Sequence, residues 1–398
     1  MLMVTRLKFP IAPLVSQMLD QLPADMWTRS DTTFLDPAMG GGQFLVEIQR
    51  RLRAAGHSDE NIAERMYGCE ENILRVNYSR NNKKLVTNNL FVRDAVKFDW
   101  GAMKFDVVVG NPPYQSKEEN NDSSFWLQFV NLGMSVLKED GHCAFVTPTS
   151  WLGKRTNSKK ADWSPFTDNH VVVYKALSDS EKRSYFSTVG SSFGFYVLKK
   201  GQGPTKILFA DNSSALHQLK VGEPLPSVLT ATSLGLHQKL AALPMFEFQS
   251  NFKFHSQVLK SKSMVNDDAD RVFCYKTYYS HNLIRWANDQ QDIFKKTKVM
   301  IPNVGTLANS WADSNCNLTE DVRYHIVKNK REGLNLVGVL NLKLYRYIGS
   351  VYRSGRNLGL ALNFLPAVDI SNPWTDQQLY QHFGLTQEEI DLIETTVG

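Results

Sequence analysis

Cysteine is scarce in this chain of 398 residues: Cys69, Cys143, Cys274 and Cys316 stand far apart, and no C-x-x-C pair occurs. The nine histidines show no metal-ligand spacing near them, so neither a disulfide framework nor structural zinc is expected. Long apolar runs are also missing, and nothing approaches the ~20 residues needed to cross a bilayer. The opening "MLMVTRLKFPIAPLVSQML" carries early positive charge, but Pro10, Pro13 and Gln17 interrupt it and no small-residue cleavage site follows. These absences lead to the expectation of a cytoplasmic protein with no membrane and no metal, monomeric in solution. Charge of one sign is not in large excess: 45 Lys and Arg against 40 Asp and Glu leave +5, a mild bias towards an anionic partner. Apolar residues are not short, and 42% hydrophobic with 21% charged excludes a disordered chain.

The length allows two domains, each with a substantial core. "TTFLDPAMGGGQFLVEIQRRLRAAG" runs from an apolar strand through a Gly-rich turn into a helix that stops at Gly56. "ERMYGCEEN", "NLFVRDAVKF" and "KFDVVVGNPPY" each carry a further short strand. A helical "SSFWLQFVNLGMSVLKEDG" precedes the strand "HCAFVTPTSWL", and "SSFGFYVLKK" closes the series. This alternation predicts an α/β half with a mostly parallel sheet. "GQGPT" at 201 to 205 is the strongest linker signal, so domains are expected at 1–202 and 203–398. In the second half the alternation fades, and a mixed α+β fold is expected.

Three strand ends carry acids. Asp36 precedes the turn that contains Gly40 and Gly42, Glu70 ends the next strand with Glu71 as its rival, and Asp94 ends the one after. An acid at a strand end is often only a cap or a solvated turn residue. Three in series, at the sheet edge where α/β folds bind ligands, point instead to a nucleoside cofactor. Then "FDVVVGNPPYQ" (105 to 115) stops a β-branched run with an amide, two prolines and an aromatic ring. Two prolines remove two donors, so the carbonyls of Asn111 and Pro112 have fewer local partners.

"DPAMGGGQF", "YGCEEN", "RDAVKF" and "GNPPYQ", in this order and spacing, resemble the S-adenosylmethionine-dependent amino-methyltransferases, most closely the adenine-N6 DNA methyltransferases. The resemblance covers residues 10 to 200 and implies a Rossmann-like methyltransferase domain. It assigns Asp36 to the methionine end of the cofactor, Glu70 to the ribose and Asp94 to the adenine amine. Pro37, Ala38, Gly40, Gly42, Phe44 and Asn111 complete the implied cofactor site. One departure is plain: the family's hydroxyl-Pro pair near the amino end is replaced by "KFPIAP". The backbone amides of the Gly40 to Gly42 turn are then the candidates for holding the cofactor's carboxylate.

An aromatic amine is a poor nucleophile because its lone pair is delocalised into the ring. Asn111 Oδ1 and the Pro112 carbonyl can each accept one amino hydrogen, and both become better matched as positive charge grows on the nitrogen. Pro113 keeps the turn rigid and Tyr114 offers a ring face to the base. A target amine inside a duplex must first be swung out, and the resemblance supplies a second clamping ring, Phe186, with Tyr185 as rival. Lys154, Arg155, Lys159 and Lys160 are candidates for phosphates. The motif order implies the gamma arrangement, in which the second half reads the DNA. The stretches 271 to 286 and 345 to 357, where aromatics and basic residues interleave, are its candidate contacts. Helix starts are expected at Thr375 and at the Thr386 and Glu389 capping box.

The implied partners are double-stranded DNA and a cognate restriction endonuclease. Fused nuclease activity is not expected, because the amino end is short and no P-D...E-x-K arrangement stands out. Enzymes that methylate ribosomal RNA or a glutamine amide carry similar turns, and an inactive DNA-binding relative is a further alternative. The intact acids and NPPY set favour the active DNA enzyme.

Overall fold

The computed structural model describes residues 12–114, 125–153, 162–186, 192–220, 222–250, 264–353 and 357–398. Lys154, Arg155, Lys159, Lys160 and Pro10 lie outside them. The chain divides into two compact units, Met1–Glu223 and Pro224–Gly398.

In the first unit, apolar β-branched runs build a sheet of nine strands among the described residues. They are β1 (Phe34–Asp36), β2 (Met66–Cys69), β3 (Asn89–Phe91), β4 (Phe105–Gly110), β5 (Leu137–Pro148), β6 (Asn169–Ala176), β7 (Phe193–Lys200), β8 (Thr205–Leu208) and β9 (Ser214–His217). Their order is β3-β2-β1-β4-β5-β7-β6-β8-β9. The run β3-β2-β1-β4-β5 is parallel throughout. All six residues of β4 are buried, as a strand covered on both faces requires. The helix Gln43–Ala54 follows the glycine turn and packs Phe44, Leu45, Ile48 and Leu52 into the same core as Phe34, Val107 and Val109. The sheet is the mostly parallel α/β sheet that the sequence predicts.

The boundary expected at 202/203 is corrected. Gly201 takes a positive φ of 101° and turns the chain back. β8 then pairs in parallel with β6 (Tyr174↔Ile207), and β9 pairs antiparallel with β8. Residues 203 to 223 therefore belong to the first unit, and "GQGPT" is a turn within it.

The second unit holds β10 (Gln249–Ser250), β11 (Val265–Asn266), β12 (Tyr275–Ser280), β13 (Leu283–Ala287), β14 (Lys298–Pro302), β15 (Trp311–Asp313), β16 (Asn317–Leu318) and β17 (Val322–Ile326). They form two sheets of four, β10-β17-β14-β15 and β11-β13-β12-β16. Helices Ala231–Ala241, Lys330–Asn341, Lys343–Val351, Asp376–His382 and Gln387–Val397 accompany them, giving the expected α+β mixture. Thr375 and Thr386 both cap helices through capping boxes, with Gln378 and Glu389.

The expectation of DNA contacts at 345 to 357 does not hold for its aromatic residues. Tyr345, Tyr347 and Tyr352 are buried with Leu344 and Ile348 in the core of this unit, because Leu344, Ile348 and Val351 recur at helical spacing and turn that face inward. In 271 to 286, Tyr278 and Tyr279 are also buried, Lys276 pairs with Asp313 at 2.8 Å and Arg285 with Asp267 at 3.0 Å. What this stretch exposes is Arg271 to Val272, Cys274 and the hairpin tip His281 to Ile284.

Candidate active site

Asp36, Glu70, Asp94 and Asn111 arrive together because their strands are neighbours. In the order β3-β2-β1-β4, Asp36 is the last residue of β1, Glu70 and Asn111 directly follow β2 and β4, and Asp94 lies three residues past β3. All four therefore stand at the carboxyl edge of the parallel run, and Asp36 and Asn111 flank the point where strand order reverses between β1 and β4. Such an edge is where open α/β sheets bind ligands.

Asp36 is 1% exposed. Its Oδ1 accepts the Ala38 amide at 3.1 Å, and no cation pairs with it among the described residues. Burial pushes its carboxyl up to about 8; the Ala38 amide opposes that shift and the neighbouring Glu70 charge adds to it. A buried acid with one backbone donor is suited to a cationic group brought by a ligand. Gly110 lets β4 approach it: a Cβ there would stand 3.1 Å from Asp36 Oδ1 and 3.1 Å from Phe145.

Pro37 is buried and Ala38 half-buried. The turn tightens through Gly40 and Gly42, with φ of 53° and 77°, and Gly42 begins the helix Gln43–Ala54 in the left-handed region that favours glycine. The Met39 amide donates to the Cys69 carbonyl at 3.0 Å, and the Gly42 amide to the Met39 carbonyl at 2.7 Å. The Gly42 amide is therefore engaged, whereas the amides of Gly40 and Gly41 have no backbone acceptor among the described residues. Phe44 buries its ring in the core, so it offers a ligand only its amide in the first helical turn. Gly68 in β2 has an unforeseen part: a Cβ there would meet Met39 Sδ at 2.5 Å and Leu45 at 2.8 Å, so glycine lets the turn seat against β2.

Glu70 Oε1 accepts the Asn72 amide at 3.0 Å, and Oε2 lies 3.5 Å from Arg75. Glu71 is exposed. Asp94 accepts the Val96 amide at 3.0 Å and lies 3.4 Å from Lys97. The Cys69 thiol donates to the Arg93 carbonyl, and burial pushes its ionisation up to about 12, so it is no nucleophile.

After β4, Asn111 is half-buried, Pro112 buried and Pro113 exposed. The Tyr114 hydroxyl donates to Asn111 Oδ1, a contact that the sequence does not announce. The Tyr114 ring packs 4.8 Å from Phe193 and 6.2 Å from Phe186, centroid to centroid. Phe186, 8% exposed, meets Tyr114 where Tyr185 does not, yet the rings cross at 73° and present no parallel faces between them. Phe193, the nearer ring, is not among the expected site residues; its only signal in the sequence is an aromatic residue opening a strand.

Residues 43–178 match the family model of the Eco57I restriction-modification methylases. Over 137 residues the chain is 27% identical to the type II restriction enzyme and methyltransferase RM.BcgI of Heyndrickxia coagulans. That alignment covers 31% of this chain and 22% of the relative, so the chain spans under a quarter of the curated protein it matches. Similar solved structures include the DNA complex of the type IIL restriction-modification enzyme MmeI, with 13% identity, TM-score 0.44, 90% of this chain and 65% of that one covered. Another is the type I restriction-modification methyltransferase subunit of Streptococcus thermophilus, with 20% identity, TM-score 0.38, 58% of this chain and 53% of that one covered.

Proposed function

We infer, from the match of residues 43–178 to the Eco57I restriction-modification methylases, that this chain transfers a methyl group from S-adenosylmethionine to the N6 amine of adenine in double-stranded DNA. The observation that carries this reading is the alignment of Asp36, Glu70 and Asp94 with Asn111 on one edge of the parallel run.

The cofactor supplies an electrophilic methyl group on a sulfonium. Asp36, buried beside one amide donor, takes the cofactor's ammonium; Glu70 takes the ribose hydroxyls and Asp94 the adenine amine. The Gly40 and Gly41 amides hold the carboxylate. Asn111 Oδ1 and the Pro112 carbonyl accept hydrogen bonds from the two hydrogens of the target amine, and as positive charge develops on that nitrogen the two fixed dipoles stabilise it more strongly than the ground state; after methyl transfer the nitrogen releases one proton to water. The base reaches them only outside the helical stack, with Tyr114 beneath it and Phe186 at its edge.

Incubation with labelled cofactor and a mixture of DNA, RNA and protein tests the substrate class. Label in DNA is expected; label confined to RNA or protein contradicts the reading. The second unit is the DNA-reading part of the same proposal. A fragment of residues 1 to 223 is expected to bind cofactor like the full chain while losing preference for target DNA. Selective binding by that fragment, measured by competition against non-target duplex, opposes the assignment.

A further inference from the structure

Pro112 and Pro113 fix the backbone of a tight turn and bring the side chains three residues apart, Asn111 and Tyr114, into contact. The phenolic hydroxyl donates to Asn111 Oδ1, and no other hydrogen bond fixes that side chain among the described residues. Packing against Phe193 and Phe186 holds the ring in place. Burial keeps the hydroxyl protonated well beyond its ordinary range, so it remains a donor at every working pH.

An asparagine amide has two ends of nearly the same shape and opposite function: one accepts two hydrogen bonds, the other donates two. A half-turn about the last torsion would set an NH2 group against the hydrogens of a substrate amine. We propose that the Tyr114 hydroxyl is a positioning group that fixes which end of the Asn111 amide is presented, keeping the oxygen as the acceptor for the target amine. One lone pair of Oδ1 takes the tyrosine hydrogen and the other stays open for the amine. This role rests on the proposed amino-methyltransferase reading, and it adds a part for the Tyr114 hydroxyl to the ring-face role that the sequence leads one to expect.

A carboxylate has no wrong end, and that gives the test. Single-turnover methylation is measured for the native chain, Tyr114→Phe, Asn111→Asp and the double variant. In the native background, Tyr114→Phe is expected to slow the reaction about threefold to tenfold, the worth of one hydrogen bond. In the Asn111→Asp background it is expected to slow the reaction by less than about twofold, so the two substitutions couple. In NMR of the selectively labelled full chain, the side-chain amide of Asn111 gives one sharp pair of signals in the native protein and a broadened or doubled pair in Tyr114→Phe. Equal slowing in both backgrounds marks a packing defect and overturns the inference, as does no slowing in the native background or an unchanged amide signal. If the native chain transfers no methyl group, the underlying reading falls and the inference with it.

Discussion

In single-turnover methylation, Asn111→Ala is expected to react about a hundredfold to a thousandfold more slowly than the native chain, the usual loss when one preorganised partner of a developing charge is removed. Cofactor affinity should survive, because the lost contact belongs to the transition state. Asn111→Asp keeps an acceptor and should exceed alanine in residual activity. The 2-aminopurine signal at the target position separates chemistry from capture: Asn111→Ala still flips the base, whereas Tyr114→Ala, which removes the ring between Asn111 and Phe193, loses the flipped population. A native rate in Asn111→Ala would refute the catalytic account.

Asp36→Asn is expected to trade function for stability. At a pH above about 8, where Asp36 is ionised, loss of the charge facing the cofactor's ammonium should weaken binding about tenfold to a hundredfold, the range for a hydrogen bond to a charged group. Stability moves the other way. The native carboxyl is raised from its ordinary value of 3.8 to about 8, so the folded chain holds its proton while the unfolded chain ionises. This acid therefore costs nothing below the unfolded value, weakens the fold progressively as pH rises towards 8, and adds no further loss above it. The advantage of Asp36→Asn in thermal unfolding should grow across that window by at most about 1.4 kcal/mol per pH unit. Native cofactor affinity should rise over the upper part of the same window as Asp36 ionises against the ammonium, and that pH dependence should vanish in Asp36→Asn. Calorimetry at several pH values reads both. Equal affinity in the two proteins contradicts the role given to Asp36.

The placement of much of this candidate site was legible because its residues are close together in sequence. Strand, acid, glycine turn and helix follow one another within residues 34 to 54, and the positive φ of Gly40 and Gly42 is what their glycines announce. The NPPY turn follows a wholly buried strand as its β-branched run predicts. What was not legible depends on side-chain direction or on distant pairing. A Gly-Pro turn between two strands of one sheet and a linker between two domains have the same composition, so only the pairing of β8 with β6 separates them. Residues 345 to 357 read as a basic-aromatic surface, although Leu344, Ile348 and Val351 carry a helical period that buries the tyrosines beside them. No sequence pattern says that the Tyr114 hydroxyl points at Asn111 or that Phe193 lies nearer to Tyr114 than Phe186 does.

The most direct measurement is the identity of the modified nucleoside. DNA methylated by the native chain, from a host that adds no methyl groups of its own, is digested to nucleosides and separated by chromatography with mass detection. N6-methyldeoxyadenosine, formed about a hundredfold to a thousandfold more slowly when Asn111→Ala replaces the native chain, is the predicted product. Methylated cytosine alone, or DNA with no modified base, would contradict the account.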